Sequence, residues 1–503
     1  MLRRLLDLPL LVLMTGITAL SMWLPASYAV IHSDYRTARA FFYSGVIVLV
    51  LTGLIAIATA NRRPRNPVRA SLAALVLAYL VLPLVMALPL HEAVRDTRFL
   101  NAWFEMVSSF TTTGATLYEP ARLPDAVHLW RAQVGWMGGF FILVAGIAIL
   151  APMNLGGVEV VSGRVPGRSA EGLSQITHTA TPARRMALQA VAVLPAYLGL
   201  TLVLWAVLAM AGDRSLVAFS HAMSTVSTSG ITPLGDMTAG PSGIYGELAI
   251  FVVLVAALSR RAWPGAALYQ RGTPLWQDPE LRLGLGIVAV LPVLLFLRHW
   301  IATAGERGGI GDALHALWGG AFTTLSFLTT TGFVSADWRA ATGWSGLGTP
   351  GLVMAGLAIF GGGIATTAGG VKLLRVYALF RHGQREMERL VHPSSVGGSG
   401  ASMRRLRREG AYLAWIFFIL FACAIGVATA ALTLVGVEFE PAMIFAVAAL
   451  TSTGPLPSIA ASEPLVYASL GAEAKVLLAA VMVLGRVELL AILVLLAPDG
   501  WRR

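Results

Sequence analysis

Phe104-Glu-Met-Val-Ser-Ser-Phe-Thr-Thr-Thr-Gly114 is the first of four similar stretches in this chain of 503 residues. The other three read Ser220-His-Ala-Met-Ser-Thr-Val-Ser-Thr-Ser-Gly230, Phe322-Thr-Thr-Leu-Ser-Phe-Leu-Thr-Thr-Thr-Gly332 and Ile444-Phe-Ala-Val-Ala-Ala-Leu-Thr-Ser-Thr-Gly454. Each is a short apolar segment that runs into Thr or Ser residues and then a glycine. Successive glycines are 116, 102 and 122 residues apart, and a sustained period of this kind indicates internal duplication.

The composition is that of a membrane protein. Hydrophobic residues make up 56% of the chain and charged residues 13%, and the mean hydropathy is +0.72. A soluble domain carries about 25% charged residues. A helical span needs about 20 apolar residues, and the sequence predicts ten such spans, near residues 8–25, 40–60, 70–90, 130–152, 186–211, 243–259, 281–301, 350–380, 408–435 and 472–497. Because a second span follows the first directly, we expect residues 8–25 to be a retained helix rather than a cleaved signal peptide.

Arginine clusters follow every second span. They are Arg62, Arg63, Arg65 and Arg69; Arg164, Arg168, Arg184 and Arg185; Arg260, Arg261 and Arg271; Arg381, Arg385, Arg389, Arg404, Arg405, Arg407 and Arg408; and Arg502 and Arg503. Positive charge marks the cytoplasmic side, so these connections and both termini are predicted to be cytoplasmic. The net charge of +11 is explained in this way and does not indicate nucleic-acid binding.

The alternate connections are acidic and contain the four repeated stretches. Their acidic residues are Glu92, Asp96, Glu105, Glu119 and Asp125; Asp213 and Asp236; Glu306, Asp312 and Asp337; and Glu438, Glu440, Glu463 and Glu473. An acidic mouth raises the local concentration of cations. We therefore expect an extracytoplasmic entrance that attracts cations.

The repeated stretches have the length and composition of pore loops. About ten residues cannot cross a membrane, and irregular backbone at that depth must be buried or line water. A short helix followed by extended Thr/Ser-Gly backbone would place rings of carbonyl oxygens around a dehydrated potassium ion. The candidate ligands are Thr112, Thr113, Gly114, Thr228, Ser229, Gly230, Thr330, Thr331, Gly332, Ser452, Thr453 and Gly454. A single such stretch would be read as an ordinary turn, but four matched copies favour a selectivity filter.

A second glycine-rich segment interrupts the eighth span. Residues 361–370 contain five glycines, each of which disfavours a helix by about 1 kcal/mol. A close-packed face of small residues is the alternative, but a helix break beneath the filter, able to act as a gate, is favoured. No strand precedes the segment, so it is not a phosphate-binding loop.

Lys372 and Arg486 are charged residues within or beside predicted spans. Lys372 can snorkel to the cytoplasmic interface. Arg486 lies in mid-span, where a charge must face a cavity or a partner; we expect it to line the pore while Glu488 pairs elsewhere. The candidate gating residues are Gly361, Gly362, Gly363, Thr366, Thr367, Gly369, Gly370, Lys372 and Arg486.

Other reactive side chains do not form a recognisable site. His221 is expected to pack or hydrogen-bond within the second pore helix, and Cys423 to lie in a span without forming a disulfide. No grouping of His, Cys and carboxylates has the spacing of a metal site, and no catalytic arrangement follows from the spacing. A membrane-embedded enzyme is therefore disfavoured.

These motifs resemble the Trk/Ktr/HKT superfamily of potassium transporters, and most closely its TrkH-type bacterial subunits. Trp130-Arg131, Gly135-Trp-Met-Gly-Gly139 and Ile149-Leu-Ala-Pro152 resemble the first helix after a pore loop in that family. The segment from Gly361 to Lys372 is similar to the intramembrane gating loop of the family, and Gly485-Arg-Val-Glu488 to the motif in its last helix. Departures occur at Gly363, Ala365 and Thr366, where the family usually has cysteine, glycine and serine, and at Leu456, which replaces the last residue of Gly-Pro-Gly.

The resemblance implies an all-α integral membrane protein with four membrane–pore-loop–membrane repeats around one central pore, plus two extra N-terminal transmembrane helices. The expected divisions are 1–69 for the extra helices, 70–160 for repeat 1, 184–262 for repeat 2, 281–390 for repeat 3 with its broken second helix, and 408–497 for repeat 4. Glycine at all four filter positions favours potassium over sodium in such proteins.

The resemblance also implies potassium uptake across the inner membrane of a bacterium, with K+ as cargo and no organic cofactor. Expected partners are a second copy of the chain in a homodimer, a cytosolic nucleotide-binding regulatory ring of the TrkA type, and membrane lipids, but no nucleic acid. An ion-coupled secondary transporter or a less selective sodium/potassium conductor remains the alternative.

Overall fold

The computed structural model describes residues 8–59, 67–153, 155–158, 160, 182–235, 240–264, 275–302, 310–345, 349–392, 408–461 and 463–496. Within these ranges the chain is helical, with no β-strand. Several charged residues used above to predict the sides of the membrane lie outside the described residues: Arg62, Arg63, Arg65, Arg164, Arg168, Asp236, Arg271, Glu306, Arg404, Arg405, Arg407, Arg502 and Arg503.

Three N-terminal helices precede the first pore loop unit. They are α1 (Leu10–Ser21), α2 (Trp23–Ile31) and α3 (Tyr35–Thr59). Gln133 of the following unit donates a hydrogen bond from its Nε2 to the carbonyl oxygen of Ser21 at 2.9 Å, which ties α1 to that unit. Only 22% of the most apolar window of α3 is buried, so most of this helix faces the lipid.

The remaining helices fall into four groups that share one plan: a long helix, a short pore helix, an extended strand, and a second helix. The first group comprises α4 (Pro67–Ala93), α5 (Phe99–Phe110) and α6 (Asp125–Ala145). The second comprises α7 (Pro182–Met210), α8 (Ser215–Ser227) and α9 (Gly243–Leu254). The third comprises α10 (Pro279–Ala302), α11 (Ile310–Leu328), α12 (Trp338–Ser345), α13 (Gly351–Phe360) and α14 (Leu373–Val391). The fourth comprises α15 (Arg408–Leu434), α16 (Phe439–Thr451), α17 (Pro457–Ala460), α18 (Ala472–Val487) and α19 (Leu489–Leu496).

The four groups close into a ring in chain order. The second helix of each group packs against the pore helix of the next, since α6 contacts α8, α9 contacts α11 and α13 contacts α16. The ring closes because α18 of the last group contacts α5 of the first. The pore helices are thereby buried at the centre: every residue from Ile444 to Thr451 of α16 is buried. Their polar C-terminal ends meet where no lipid reaches.

The expectation of ten spans needs correction in three places. Seven helices of the described chain are long and apolar enough to cross a membrane, and α18 with α19 forms an eighth only as a pair bent by 92°. The predicted sixth span is the shorter Gly243–Leu258, whose last turn tightens to a 3-10 helix. The predicted eighth span is not one continuous helix: it is helical up to Phe360 and again from Leu373. The interruption between these two helices is the one that was predicted.

The interruption of the tenth span was not predicted. Glu488 adopts a φ of +71°, a conformation that non-glycine residues rarely take, and ends α18. Neither glycine nor proline occupies position 488 or the residues on either side of it. The break is explained below by the partners of the Glu488 carboxylate.

Candidate ion pathway

All four pore helices end in the same backbone motif. The residue after the last helical turn is left-handed in each copy: Thr112, Thr228, Thr330 and Ser452 have φ values of +57°, +52°, +59° and +57°. The next amide bonds five residues back, as in Thr113 N to Ser108 O at 2.8 Å and Thr453 N to Ala448 O at 2.8 Å. This is a Schellman ending, but with Thr or Ser where glycine is usual. Repetition of this unusual choice shows that the four strands begin equivalently.

A pair of hydroxyl groups stiffens each strand. Thr111 bonds the carbonyl oxygen of Val107 at 2.8 Å and the hydroxyl of Thr113 at 2.8 Å. The same two bonds recur in the other copies through Ser227 and Ser229, Thr329 and Thr331, and Thr451 and Thr453. Sequence reasoning did not select Thr111, Ser227, Thr329 or Thr451, although their place in the repeated Thr/Ser run could have identified them.

The filter glycines surround one axis. A Cβ built on Gly114 would overlap the carbonyl oxygen of Ser229 in the second strand, and one on Gly230 would overlap that of Thr331 in the third. Gly332 in turn faces Pro455 of the fourth strand, and Gly454 faces the backbone of the first. All four glycines line a single cavity of about 1590 Å³, called the vestibule below. The strands therefore form a closed ring of four that opens on this vestibule.

The fourth strand departs from the other three. Gly114, Gly230 and Gly332 have φ values of +76°, +64° and +82°, whereas Gly454 is not among the positive-φ residues. Its amide instead donates to the carbonyl oxygen of Thr113 at 2.6 Å. One carbonyl oxygen of the ring is thus satisfied by the protein itself.

The expected acidic mouth is not what lines the vestibule. Its ionisable lining among the described residues comprises Tyr118, Glu119, Arg122, Arg131, Arg339 and Tyr467. Of the predicted acids, Glu119 does line the vestibule, whereas Asp125 pairs with Arg214 and Asp337 with His315. Backbone carbonyl groups and the C-terminal ends of the pore helices supply negative potential at the filter.

Two ionisable groups in the loops beside the pore helices, Asp213 and Tyr118, have surroundings that shift their pKa values. Burial would raise the pKa of the Asp213 carboxyl, but the His221 ring 3.9 Å away and a hydrogen bond from the Ser242 amide hold that pKa below its ordinary value. Burial raises the pKa of Tyr118 to about 12. Both groups thus keep one charge state at neutral pH, Asp213 ionised and Tyr118 neutral.

A buried side chain braces the backbone that follows each filter strand. Glu105 accepts from the Leu117 amide at 3.0 Å and pairs with Arg131 at 2.6 Å. His221 bonds Thr232 at 2.9 Å, which bears out its predicted structural role. Tyr467 donates from its hydroxyl to the carbonyl oxygen of Gly454 at 3.0 Å.

The brace of the third strand comes from the neighbouring group. Glu247 of α9 accepts three hydrogen bonds of 2.7 Å, from Ser335 Oγ, the Ala336 amide and Trp318 Nε1. Its carboxylate is buried, and all three donors are neutral. This contact could not be predicted from the sequence, because Glu247 and Ser335 are 88 residues apart.

The glycine-rich segment forms a closed loop between α13 and α14. At its neck, the amides of Val371 and Lys372 donate to the carbonyl oxygens of Ile359 and Phe360, each at 2.9 Å. Gly361 and Gly370 adopt positive φ at the two ends of the excursion, which explains the glycine requirement there. Residues 361–370 are non-helical, as the glycine density predicted.

The loop touches all four groups. Gly363 donates from its amide to Ala257 O of the second group at 3.0 Å, and Ile364 to Glu280 Oε1 of the third at 2.8 Å. A Cβ on Gly146 of the first group would meet Ala365 at 3.6 Å. Gly369 abuts Thr451 of the fourth group. A segment in contact with every member of a ring lies across its centre.

Arg486 and the loop share one small cavity. This cavity has a volume of about 30 Å³, and its lining includes Gly146, Ala365, Gly369, Gly370 and Arg486. The guanidinium is 4% exposed, and its Nε and Nη2 atoms have no hydrogen-bond partner in the part of the chain that the structure describes. A fixed cation therefore borders the space beneath the filter.

Glu488 and Lys372 complete this region. The Glu488 carboxylate accepts from Arg375 Nη2 at 3.0 Å and from the Gly156 amide at 3.1 Å, so it pairs with groups other than Arg486, as expected. These partners turn the chain at Glu488 and account for the break between α18 and α19. Lys372 does not snorkel: it is 8% exposed, and its Nζ donates to the carbonyl oxygen of Ala368. The Lys372 ammonium group stays in the interior because the carbonyl oxygen of Ala368 provides a hydrogen-bond acceptor within the loop.

Four pore-loop units around one axis, with a vestibule on one side and a loop across the other, define the class of membrane cation conductors with a four-strand filter. A family model described as TrkH, cation transport protein, matches residues 37–237 and 285–501. The chain belongs to the TrkH family.

Individual relatives agree with this assignment. The chain is 30% identical over 492 residues to the Trk system potassium uptake protein TrkH of Salmonella typhimurium, with 96% of each chain covered. It is 29% identical over 490 residues to TrkH of Escherichia coli, again with 96% of each covered. The crystal structure of the potassium transporter TrkH from Vibrio parahaemolyticus superimposes with a TM-score of 0.78 at 26% identity, covering 100% of both chains.

Proposed function

We propose that this chain takes up potassium across the cytoplasmic membrane of a bacterium through the four-strand filter. The observation that carries the proposal is the ring of equivalent strands, each starting from a left-handed Thr or Ser and opening on one vestibule. Backbone oxygens in such a ring replace the hydration shell of a monovalent cation. The ligands would be the backbone carbonyl oxygens, with nearby hydroxyl groups, of residues 112–114, 228–230, 330–332 and 452–454.

The loop at residues 361–370 serves in this proposal as the gate. Its contacts with all four groups support this role, as does the contrast between about 1590 Å³ outside the filter and about 30 Å³ beneath it. Gly361, Gly362, Gly363, Gly369 and Gly370 give the loop its shape. Thr366 closes an internal hydrogen bond to the carbonyl oxygen of Gly363 at 2.7 Å, and Thr367 is buried beside it.

Lys372 and Arg486 contribute positive charge to the closed gate. Lys372 anchors the loop through Ala368, and Arg486 borders the cavity under the filter. A guanidinium stays charged under all physiological conditions, so it raises the energy of a cation passing this point. Displacement of the loop would let the guanidinium move aside or become hydrated.

A less selective sodium/potassium conductor is the second candidate, and one observation favours it. The Gly454 amide donates a hydrogen bond to the carbonyl oxygen of Thr113. At that level, three strands are left to supply carbonyl oxygens to a cation. A site with fewer or weaker carbonyl ligands discriminates less between cations. Selectivity measurement decides between the two candidates.

The assembly proposed here is a homodimer that docks a cytosolic nucleotide-binding ring of the TrkA type, with both termini in the cytoplasm. The relatives are named as members of a Trk system, which supports partner subunits. The helix α14 continues directly from the gate loop and carries the half-buried Arg381, Arg385 and Arg389. A partner bound to α14 would therefore pull on the gate.

The test is cation flux in liposomes that contain the purified chain, with no proton gradient imposed. We expect potassium flux that exceeds sodium flux, and rescue of growth at low potassium in a bacterium lacking its own uptake systems. A strict requirement for a proton or sodium gradient would instead establish an ion-coupled transporter. Equal potassium and sodium flux would establish the less selective conductor.

A further inference from the structure

One hydrogen bond joins the gate loop directly to the filter. The Gly369 amide donates to the hydroxyl oxygen of Thr330 at 2.7 Å, and both residues lie in the interior near the pore axis. We propose that Thr330 is a positioning residue that holds the loop closed beneath the filter. The inference rests on the proposed filter and gate, and it adds a coupling between them.

The four equivalent hydroxyl groups of the filter have different surroundings. The hydroxyl oxygens of Thr112 and Ser452 have no hydrogen-bond partner within the described residues, and that of Thr228 donates to the carbonyl oxygen of Ser227 at 2.8 Å. In the third strand, the hydroxyl oxygen accepts the loop amide. The backbone is left-handed at all four positions, so the bond at Thr330 reflects the position of the loop and not a special backbone conformation of the third strand.

A second contact acts at the same loop residue. A Cβ on Gly369 would overlap the carbonyl oxygen of Thr451 and approach Ser452 Cβ at 3.4 Å, so the loop backbone presses against the fourth strand. Gly369 is not among the positive-φ residues, so alanine meets no backbone penalty there. The methyl group of alanine would be obstructed by the backbone of Thr451 and by Ser452 Cβ. Hydrogen bonding and close packing thus hold the loop against two adjacent strands.

This arrangement couples the filter to the gate. The Thr330 oxygen lies at the inner end of a filter strand, where a permeating cation would use it as a ligand. A cation and the Gly369 amide then compete for one oxygen. Because such coupling is reciprocal, loop closure weakens cation binding at the inner end, and cation occupancy weakens loop closure.

The experiment compares Thr330→Val with Thr112→Val in single-channel recordings without any regulatory subunit. Both variants lose an equivalent hydroxyl group, but only Thr330→Val loses the bond to the loop. We expect Thr330→Val to raise the open probability roughly two- to tenfold, the range for one buried hydrogen bond. Thr330→Ser, which keeps the hydroxyl, should restore the wild-type value. Thr112→Val measures the effect of losing a filter hydroxyl alone, and the open probability of Thr330→Val should exceed that of Thr112→Val.

Gly369→Ala tests the same contact without removing a filter hydroxyl, because its Cβ would push the loop away from the carbonyl oxygen of Thr451. It should raise the open probability. An assay of loop exposure does not depend on transport. It uses Ala365→Cys in a Cys423→Ser background. The introduced thiol should react faster with a cytoplasmic thiol reagent when either Thr330→Val or Gly369→Ala is also present. This assay also applies if Thr330→Val folds poorly, since Gly369→Ala alone then carries the test.

The outcomes separate the two proposals. Equal gating changes in Thr330→Val and Thr112→Val, or an unchanged labelling rate in Gly369→Ala, would overturn the coupling while leaving the filter intact. A wild-type chain that conducts no potassium, together with faster labelling in the variants, would support the contact but reject the proposed function.

Discussion

At the scale of single residues, the filter is held in an unfavourable backbone conformation by its surroundings. A left-handed conformation costs a residue with a side chain about 1–2 kcal/mol, and four Thr or Ser residues adopt it. Each is followed by an amide that completes the helix ending and by a hydroxyl pair that fixes the strand. The cost is offset locally, so the carbonyl groups are positioned before any cation arrives.

Gly114→Ser should reduce discrimination between potassium and sodium. The new side chain would both occupy a φ of +76° and overlap the carbonyl oxygen of Ser229, so the first two strands must separate. Competition of sodium with potassium flux measures the effect. Gly212→Ser is the matched control, because Gly212 has a φ of +109° but open space around it. Unchanged selectivity in Gly114→Ser would remove this glycine from the filter.

Arg486→Ala should speed cation flux and weaken gating, because it removes a fixed positive charge beside the cavity under the filter. Arg486→Lys keeps the charge and should change both properties less. Flux at several regulator concentrations separates the two effects. An alanine variant with wild-type flux and gating would refute an electrostatic role for this residue.

At the scale of secondary-structure elements, each group depends on the next. The second helix of one group packs on the pore helix of the following group, and Glu247 of α9 carries this dependence into the backbone beyond the third filter strand. Glu247 belongs to the second group and the backbone that it braces belongs to the third. A change in α9 therefore alters the third filter strand. The loop of residues 361–370 has the same character, since its partners come from four groups.

Glu247→Gln should lower both thermal stability and potassium selectivity. The carboxylate now accepts hydrogen bonds from three donors. The NH2 group of glutamine would face at least one of these donors and leave it without an acceptor, which lowers the free energy of unfolding by about 1–3 kcal/mol. Melting temperature in detergent and the potassium-to-sodium flux ratio report the two effects. The exposed Glu463 gives the control Glu463→Gln, which should leave both quantities unchanged. A stable and fully selective Glu247→Gln would show that the brace is dispensable.

At the scale of the whole molecule, a wide vestibule on one face and a loop across the other give the pathway a direction. Lipid-facing helices such as α3 surround the ring, while 83% of the most apolar window of the α6 span is buried. Cys423 is exposed on α15 and free, in agreement with its predicted place within a span. The molecule is therefore a shell of lipid-exposed helices around a polar axis.

The orientation in the membrane can be tested with single cysteines in a Cys423→Ser background. Glu463→Cys, in the segment before α18, should react with an impermeant reagent added outside the cell. His392→Cys, just after α14, should react only in inverted vesicles. Both positions are exposed, so access and not burial decides the result. Labelling from the opposite sides would reverse the predicted topology.

Much of this architecture was determined by the sequence itself. The period of the Thr/Ser-Gly stretches, the apolar spans and the glycine density at 361–370 are local signals, and each maps directly onto a backbone property: burial, helix length or a helix break. The family resemblance followed from the same residues. The snorkelling of Lys372 and an unbroken tenth span at residues 472–497 were wrong, because each depended on a partner that the local sequence does not show.

Only the tertiary structure decided which groups meet. Glu247 reaches Ser335 across 88 residues, Glu488 finds Arg375 across 113, and Gly369 finds Thr330 across 39. The fourth strand carries the same pattern of three Thr or Ser residues and a glycine as its neighbours, yet Gly454 turns its amide toward Thr113. Such pairings depend on the closing of four groups into one ring, which brings distant backbone and side-chain atoms within hydrogen-bonding distance. A linear sequence specifies the groups by periodicity, but the contacts between them exist only once the ring has formed.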